Sequence, residues 1–469
     1  MGLPGALTIR QPAYLNSLCS HWRFVQVPTS SLRSRPVLSR RIGVASVLAG
    51  SLLLAACSSG TSGPAATGGA PSGTLNFIVS SSDASDAGFR AVNAAFMKKY
   101  PAVKIEFSAI PNENWAATNS SRLTAGKVDI TLAGPKEVPS YVPASAQGDD
   151  ARAADAGVYA DLTDQPAMKR FSPSILKATQ YKGKQYVVPT GVSYYTGAYY
   201  NKKLFAKYGL SVPTTWSEFL KVCNTLKKNG VAPLGIGGKD SAGIAMLAAV
   251  QGLYPTAADK EGLNRGLWQK KVNLTDSKPV QVLDRVQTMF GFAQRNFSGV
   301  AGSTIAAGFA NGAYAMIPDG TWDTPTVTSA VGSKFDFGYF PIPTSDTAAE
   351  NATLGGKVEL TLAMPSSAKN KTAALAYLNF FTEPQNYTKF VELSGFASAE
   401  PGIDTSKFLK SLESYTKTFS PAWDTVFIVN PKAGAAAQYP FNYGAVKPLG
   451  SSAPAEAAAL SQKDWTAGF

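Results

Sequence analysis

Cys57 is the residue whose surroundings most clearly prescribe a covalent reaction. It closes Leu54-Ala55-Ala56-Cys57, at the end of an uncharged run from Ile42 to Ala56. Arg33, Arg35, Arg40 and Arg41 precede the run, and Ser58-Ser59-Gly60-Thr61-Ser62-Gly63 follows the cysteine. A basic flank, a short apolar core, small residues and then a thiol form the layout of an export signal. The run is shorter than the roughly 20 residues a bilayer-spanning helix needs. Other reactive side chains are scarce. The single histidine, His21, lies upstream, as does Cys19. A chain processed at Cys57 therefore has no histidine for a Ser-His-Asp or Cys-His mechanism, nor for a His-ligated zinc site. Carboxylate, lysine and tyrosine chemistry remains open.

The Leu-Ala-Ala-Cys pattern resembles a bacterial lipobox, which implies that Cys57 is diacylated and becomes the new N-terminus. A single acyl chain binds membranes marginally, whereas two or more anchor stably. The expected division is a leader and lipoprotein signal peptide over residues 1–56, then a Ser/Gly/Ala-rich tether over 57–73. Residues 1–32 are odd for an export leader and fit a start codon placed too early. Six arginines and no acid precede Cys57, so processing leaves 38 basic against 31 acidic residues, a net charge of +7 rather than +13. Without a Lys/Arg block, that charge does not point to nucleic acid. Cys223 is then the only unmodified thiol, so no intramolecular disulfide can form. A mature chain of about 410 residues can bury a large core and suggests two domains.

The elements behind the tether read as α/β. Leu75, Phe77 and Val79 alternate as in a strand over Thr74–Ser80; Phe89, Val92 and Phe96 share one face of a helix over Asp86–Lys99; Val103, Ile105 and Phe107 alternate again. Strand, helix and strand at this spacing make a βαβ unit of a parallel sheet. Thr215-Trp-Ser-Glu218 is a capping box. Behind it Phe219, Leu220, Cys223 and Leu226 form an apolar stripe that ends near Gly230, which makes Cys223 a buried core residue rather than a reactive thiol. Ala232–Gly238 reads as a strand and loop, Asn370–Phe381 as a helix, and Lys389–Ser394 as a short helix stopping at Gly395.

Phe96-Met-Lys-Lys-Tyr-Pro101 and Val103-Lys-Ile-Glu-Phe107 resemble the first βαβ of family 1 extracellular solute-binding proteins, the carbohydrate-capturing subunits of ABC importers related to maltose-binding protein. Thr124-Ala-Gly-Lys-Val-Asp-Ile130 is similar to a family step that usually has Pro where this chain has Val128. Gly183–Pro189, Tyr199–Phe205, Pro213–Phe219, Ala313–Trp322, Phe337–Pro343 and Leu354-Gly-Gly356 follow in the family's order. The resemblance implies a periplasmic-binding-protein-like fold of two α/β lobes, joined by a hinge, with the ligand cleft between them. Lobe one is expected over 74–192 plus 341–395, and lobe two over 193–340 plus 396–469. Crossings are expected near Gly191-Val-Ser193 and Phe340-Pro341. It also implies a carbohydrate ligand, permease subunits as partners, a membrane attachment through Cys57 on the extracellular face, and a monomer. No catalytic residue, metal or cofactor is implied.

A sugar offers an apolar C–H face and a rim of hydroxyls, so its site needs aromatic platforms and hydrogen-bonding groups. Trp322, behind the strand Ala313–Ile317 and the turn Asp319-Gly320, stands where the family displays a stacking Trp; the alternative is a Trp buried in lobe two. Tyr194 and Tyr195 lie at the first crossing, and strand alternation turns one of them inward. Trp115 either packs or lines the cleft. Asp83 follows the first strand as a crevice residue or a helix N-terminal acid. Lys136 follows a strand ending at Ala133-Gly-Pro135. Asp319 either bonds hydroxyls or shapes its turn. Glu359, inside an apolar strand, faces solvent or has a cleft partner. Lys239 and Asp240 follow Gly237-Gly238 at another strand end. Two further functions compete with sugar capture. One is the same receptor for a polyamine, peptide or glycerol-phosphate-like solute. The other is a lipid-anchored glycoside hydrolase, which needs two carboxylates roughly 5–10 Å apart.

Overall fold

The computed structural model describes residues 69–469 except 82, 404, 405 and 440. Cys57, the signal and most of the tether lie outside the described residues. Alternating apolar residues produce β1 (Gly73–Ser80), which runs parallel to β2 (Val103–Ile110) in unbroken register from Gly73↔Val103 to Ser80↔Ile110. The helix that connects them, Asp83–Lys99, starts three residues before the expected Asp86. On the other side of β1, Phe77 bridges Ile130, next to β3 (Thr131–Leu132). The strand β11 (Leu362–Ala363) pairs antiparallel with both β3 and β4 (Val187–Val188). Returning chain also covers this sheet through the helices Lys371–Phe381 and Pro384–Ser394. Phe77 meets Phe89 and Tyr377 edge-on, each at 5.3 Å between ring centroids, so the sheet and both helix layers share one aromatic core. The second of these helices begins at Pro384 rather than Lys389, because proline suits a first helical position whose N–H would lack a partner.

A second sheet has the order β7 (Ala232–Leu234), β8 (Tyr314–Asp319), β6 (Gly197–Asn201), β9 (Phe337–Pro341). The helix Trp216–Lys228 packs on it, started by the Thr215/Glu218 capping box, with Phe219, Val222, Cys223 and Leu226 buried. Burial pushes the Cys223 thiol pKa well up, as suits a core residue. The helix Gly243–Leu253 is buried along its whole length, as a helix apolar on all sides must be. The chain is therefore two α/β lobes.

A third, small sheet lies where the chain passes between them. Here β10 (Gly355–Glu359) runs antiparallel to β5 (Gly191–Tyr194) and parallel to β12 (Ser420–Pro421). Phe340-Pro341, expected at a crossing, lies instead in β9, paired with Gly197 and Ala198 of β6. Chain beyond it stays on the second lobe, where the Arg285 Nε donates to the Thr344 carbonyl at 3.0 Å. The passage beside β5 is β10. Among the described residues no helix is long and apolar enough to cross a membrane.

Candidate functional site

A shallow open cleft lies over the small connecting sheet. Its aromatic lining is Tyr195, Trp322, Tyr439 and Tyr443. Ile244, Met246 and Leu247 add an apolar wall from the start of the buried helix, and Lys357 and Asp424 supply opposite charges. Trp322 sits in the single 3₁₀ turn Thr321–Asp323 that follows β8, half-buried. Its ring folds back over Gly320. A Cβ there would stand 2.4 Å from the ring carbons, so glycine is what lets the indole take this pose. The turn is tied to the connecting sheet, for the Tyr194 amide donates to the Thr321 hydroxyl at 3.1 Å. On the opposite side Gly243 allows Tyr443 to approach; a Cβ there would be 2.9 Å from the Tyr443 hydroxyl.

Tyr195 and Trp322 lie 5.3 Å apart between ring centroids, tilted by 43°. The Tyr195 hydroxyl donates to Asp424 Oδ1 at 2.7 Å, which fixes both the ring and the carboxylate. Lys357, on β10, holds its Nζ 5.5 Å from each of the two ring centroids. The same ammonium lies 3.4 Å from Glu359 Oε1, and Glu359 also takes the Ser193 hydroxyl hydrogen bond. The first lobe reaches this site through Lys136. The residue is exposed, and its ammonium donates to the Thr425 carbonyl, near Asp424. Enclosure lowers the Lys136 pKa, and the Asp424 charge opposes that shift.

The other residues singled out from sequence fall in different places. Both tyrosines are buried, Tyr194 8 % and Tyr195 2 % exposed, and it is Tyr195 whose ring lies at the cleft. Glu359 is buried in the connecting sheet beneath Lys357 rather than on the cleft surface. Asp319 lies half-buried under the Trp322 turn, with its Oδ1 accepting from the Gly320 amide at 2.7 Å. Burial first, and then the Asp323 carboxylate, raise Asp319 well above the usual carboxylate range. Asp240 accepts from the Gly302 amide at 2.7 Å and braces a loop; Lys239 is exposed, its amide bonded to the Val300 carbonyl. Asp83 opens the first helix. Trp115 does not join the cleft. It is 4 % exposed and clusters with Ile78 and Val128.

Among the aromatic and charged lining residues, four were not singled out: Lys357, Asp424, Tyr439 and Tyr443. Tyr439 and Tyr443, 6.5 Å apart between centroids, come from an irregular stretch with no periodicity to betray its placement. The aromatic composition of Tyr439–Tyr443 is the one local signal that pointed to them.

A model of the bacterial extracellular solute-binding proteins matches residues 80–388. The chain belongs to that family. This solute-binding protein is 23 % identical over 328 residues to a multiple sugar-binding protein of Streptococcus mutans, spanning 69 % of this chain and 74 % of the relative. It is 24 % identical over 358 residues to an uncharacterised ABC transporter extracellular-binding protein of Pyrococcus horikoshii, spanning 71 % and 75 %. Among solved structures it is similar to RafE in complex with raffinose, with a TM-score of 0.70 at 21 % identity, covering 85 % of this chain and all of that one. A Bacillus licheniformis sugar transporter protein in complex with stachyose gives 0.66 at 17 % identity, covering 84 % and 100 %. These two likenesses establish the shared two-lobed fold.

Proposed function

We propose that this chain is a lipid-anchored receptor that captures a neutral carbohydrate and delivers it to an ABC importer permease. The observation that carries the reading is the tilted Tyr195–Trp322 pair, with the Asp424 carboxylate held at its edge. Ring faces suit the C–H side of a pyranose, and a carboxylate accepts two hydroxyl protons. Charge points the same way. Lys357 is paired with Glu359 and Asp424 is bonded to Tyr195, so both lining charges are already engaged and the site suits an uncharged solute. A polyamine would meet Lys357 over the rings it needs. A hydrolase needs two carboxylates across the sugar, whereas Asp424 is the one carboxylate among the lining residues and is already bonded to Tyr195. The sugars in complex with the related proteins, raffinose and stachyose, are the natural first probes.

In this reading the lobes pivot about the connecting sheet, and ligand shifts the population to a closed form in which Lys136 of the first lobe and the aromatic wall of the second both face it. Cys57 holds the receptor at the extracellular face, and the permease recognises the closed shape. A thermal-shift screen of the purified protein against mono- and oligosaccharides tests the cargo. A saccharide at 100-fold excess over its Kd stabilises the fold by about 2.7 kcal/mol. A shift with putrescine or glycerol phosphate and with no saccharide would overturn the reading, and turnover of a chromogenic glycoside would restore the hydrolase.

A further inference from the structure

The stacking platform is already occupied by the protein's own cation. Lys357 Nζ sits in the angle between two tilted rings, equidistant at 5.5 Å from the centroids of Tyr195 and Trp322, which are themselves 5.3 Å apart. A cation within about 6 Å of an aromatic centroid is attracted by the ring's negative face, most strongly for Trp. The ammonium is held there from below. Lys357 lies opposite Ser193 in the β10–β5 pairing, and its neighbour Glu359 is buried, with Ser193 and Lys357 as partners. A pyranose face and an alkylammonium compete for the same π surface, so one must leave for the other to stack.

From this arrangement we infer that Lys357 is a specificity-determining residue that caps the Tyr195–Trp322 platform and must be displaced by the ligand. The inference rests on the reading that a solute stacks on these rings. Its physical consequence is selectivity by threshold. A solute that offers only one weak apolar face does not recover the lost cation–ring attraction, whereas a sugar that covers both rings does. Displacement also has a mechanical side. Lys357 is on the strand that joins the lobes, so moving its side chain away from Trp322 frees a link between the connecting sheet and the second lobe's wall. Glu359, already 3.4 Å from the ammonium, can stay paired with it as it leaves the rings, so no buried carboxylate is stranded.

The test compares Lys357→Met and Lys357→Arg by calorimetric titration with the saccharide that most stabilises the wild-type protein. Lys357→Met keeps the side chain's length and removes the charge. It is expected to bind about 3- to 10-fold tighter, the range that loss of a partly exposed cation–ring contact allows. Lys357→Arg keeps a cation whose planar group stacks better on rings, and it is expected to bind no tighter than wild type. A residue that merely supports the fold would weaken binding in both variants. Equal or weaker binding by Lys357→Met overturns the proposal, because it makes Lys357 a bystander or a ligand contact. Should Lys357→Met fold poorly with Glu359 left unpaired, Lys357→Met combined with Glu359→Gln replaces it.

If no saccharide binds any form, the cargo assignment has failed, and the cap is then judged on the free protein. Acrylamide quenching of the emission assigned to Trp322, by difference from a Trp322→Phe form, rises in Lys357→Met when the ammonium covers the ring. Unchanged quenching overturns the cap.

Discussion

Trp115 and Trp322 are the same side chain used in opposite ways. Trp115 lies in the helix Asn112–Thr124 of the first lobe, where Ile78, Val128 and the partly buried Leu123 and Leu132 close over it. Trp322 lies in a 3₁₀ turn at the end of β8, above a glycine, with Tyr195 beside it and the Lys357 ammonium over its ring at the cleft. The difference does not come from hydrophobicity, which is equal. It comes from what backs the ring. Around Trp115 the helix meets a sheet that supplies apolar neighbours, whereas Gly320 supplies no side chain, and the ring rests on bare backbone facing the cleft. A large aromatic can serve as a binding surface where the fold props up one face and only a movable side chain covers the other.

The largest effect expected is on the buried member. Trp115→Ala empties a closed site and should cost about 3–5 kcal/mol of unfolding free energy, read by denaturant titration, while the Kd of the fraction that remains folded stays unchanged. Trp322→Ala should reverse that pattern. An aromatic anchor at the centre of a site contributes about 2–4 kcal/mol to binding, roughly 30- to 1,000-fold in Kd, and calorimetry should find that loss with a much smaller change in stability. If the two variants behave alike, the contrast is wrong. Gly320→Ala sharpens it further. The added methyl would meet the indole at 2.4 Å, so the ring must move; over-packing of this kind costs about 1–3 kcal/mol, and binding should fall about tenfold with both lobes intact.

The smallest effect concerns the acid beneath the turn. Asp319 has its folded pKa raised, by burial and then by Asp323. The stability it contributes is full below the unfolded-state carboxylate pKa of about 3.9 and is lost as pH rises through the raised folded value. Asn keeps an oxygen for the Gly320 amide and carries no charge. Asp319→Asn should therefore melt close to wild type at pH 4 and higher than wild type at pH 8, by differential scanning calorimetry. A wild-type advantage at pH 8 would show that the charged form is the stabilising one.

Local chemistry made the first lobe's βαβ unit, both ends of the helix Trp216–Lys228 and the burial of Cys223 legible, because periodicity and caps act within a few residues. Trp322 was singled out through a resemblance, because its strand, Asp-Gly turn and tryptophan are similar to a family stretch, and its ring lies at the cleft. Lys357 and Asp424 were not. Lys357 meets Trp322 and Tyr195 only because β10 lies against β5, a pairing between segments about 160 residues apart. Asp424 meets Tyr195 across 229 positions. The same long-range pairing explains why the second passage falls at Gly355–Glu359 rather than Phe340-Pro341. A β-strand's sequence does not say which sheet it will join. Strand alternation left Tyr194 and Tyr195 as equals, and the hydrogen bond from Tyr195 to Asp424 is what distinguishes them.

A saccharide is expected to lie against the Tyr195–Trp322 pair in the cleft. A crystal structure of the protein with the saccharide that raises its melting temperature most tests this directly. The expected result is a pyranose ring within about 4 Å of both aromatic faces, a hydroxyl bonded to Asp424, and the Lys357 ammonium moved off the rings. A saccharide bound away from these rings, with Lys357 still between Tyr195 and Trp322, would contradict it.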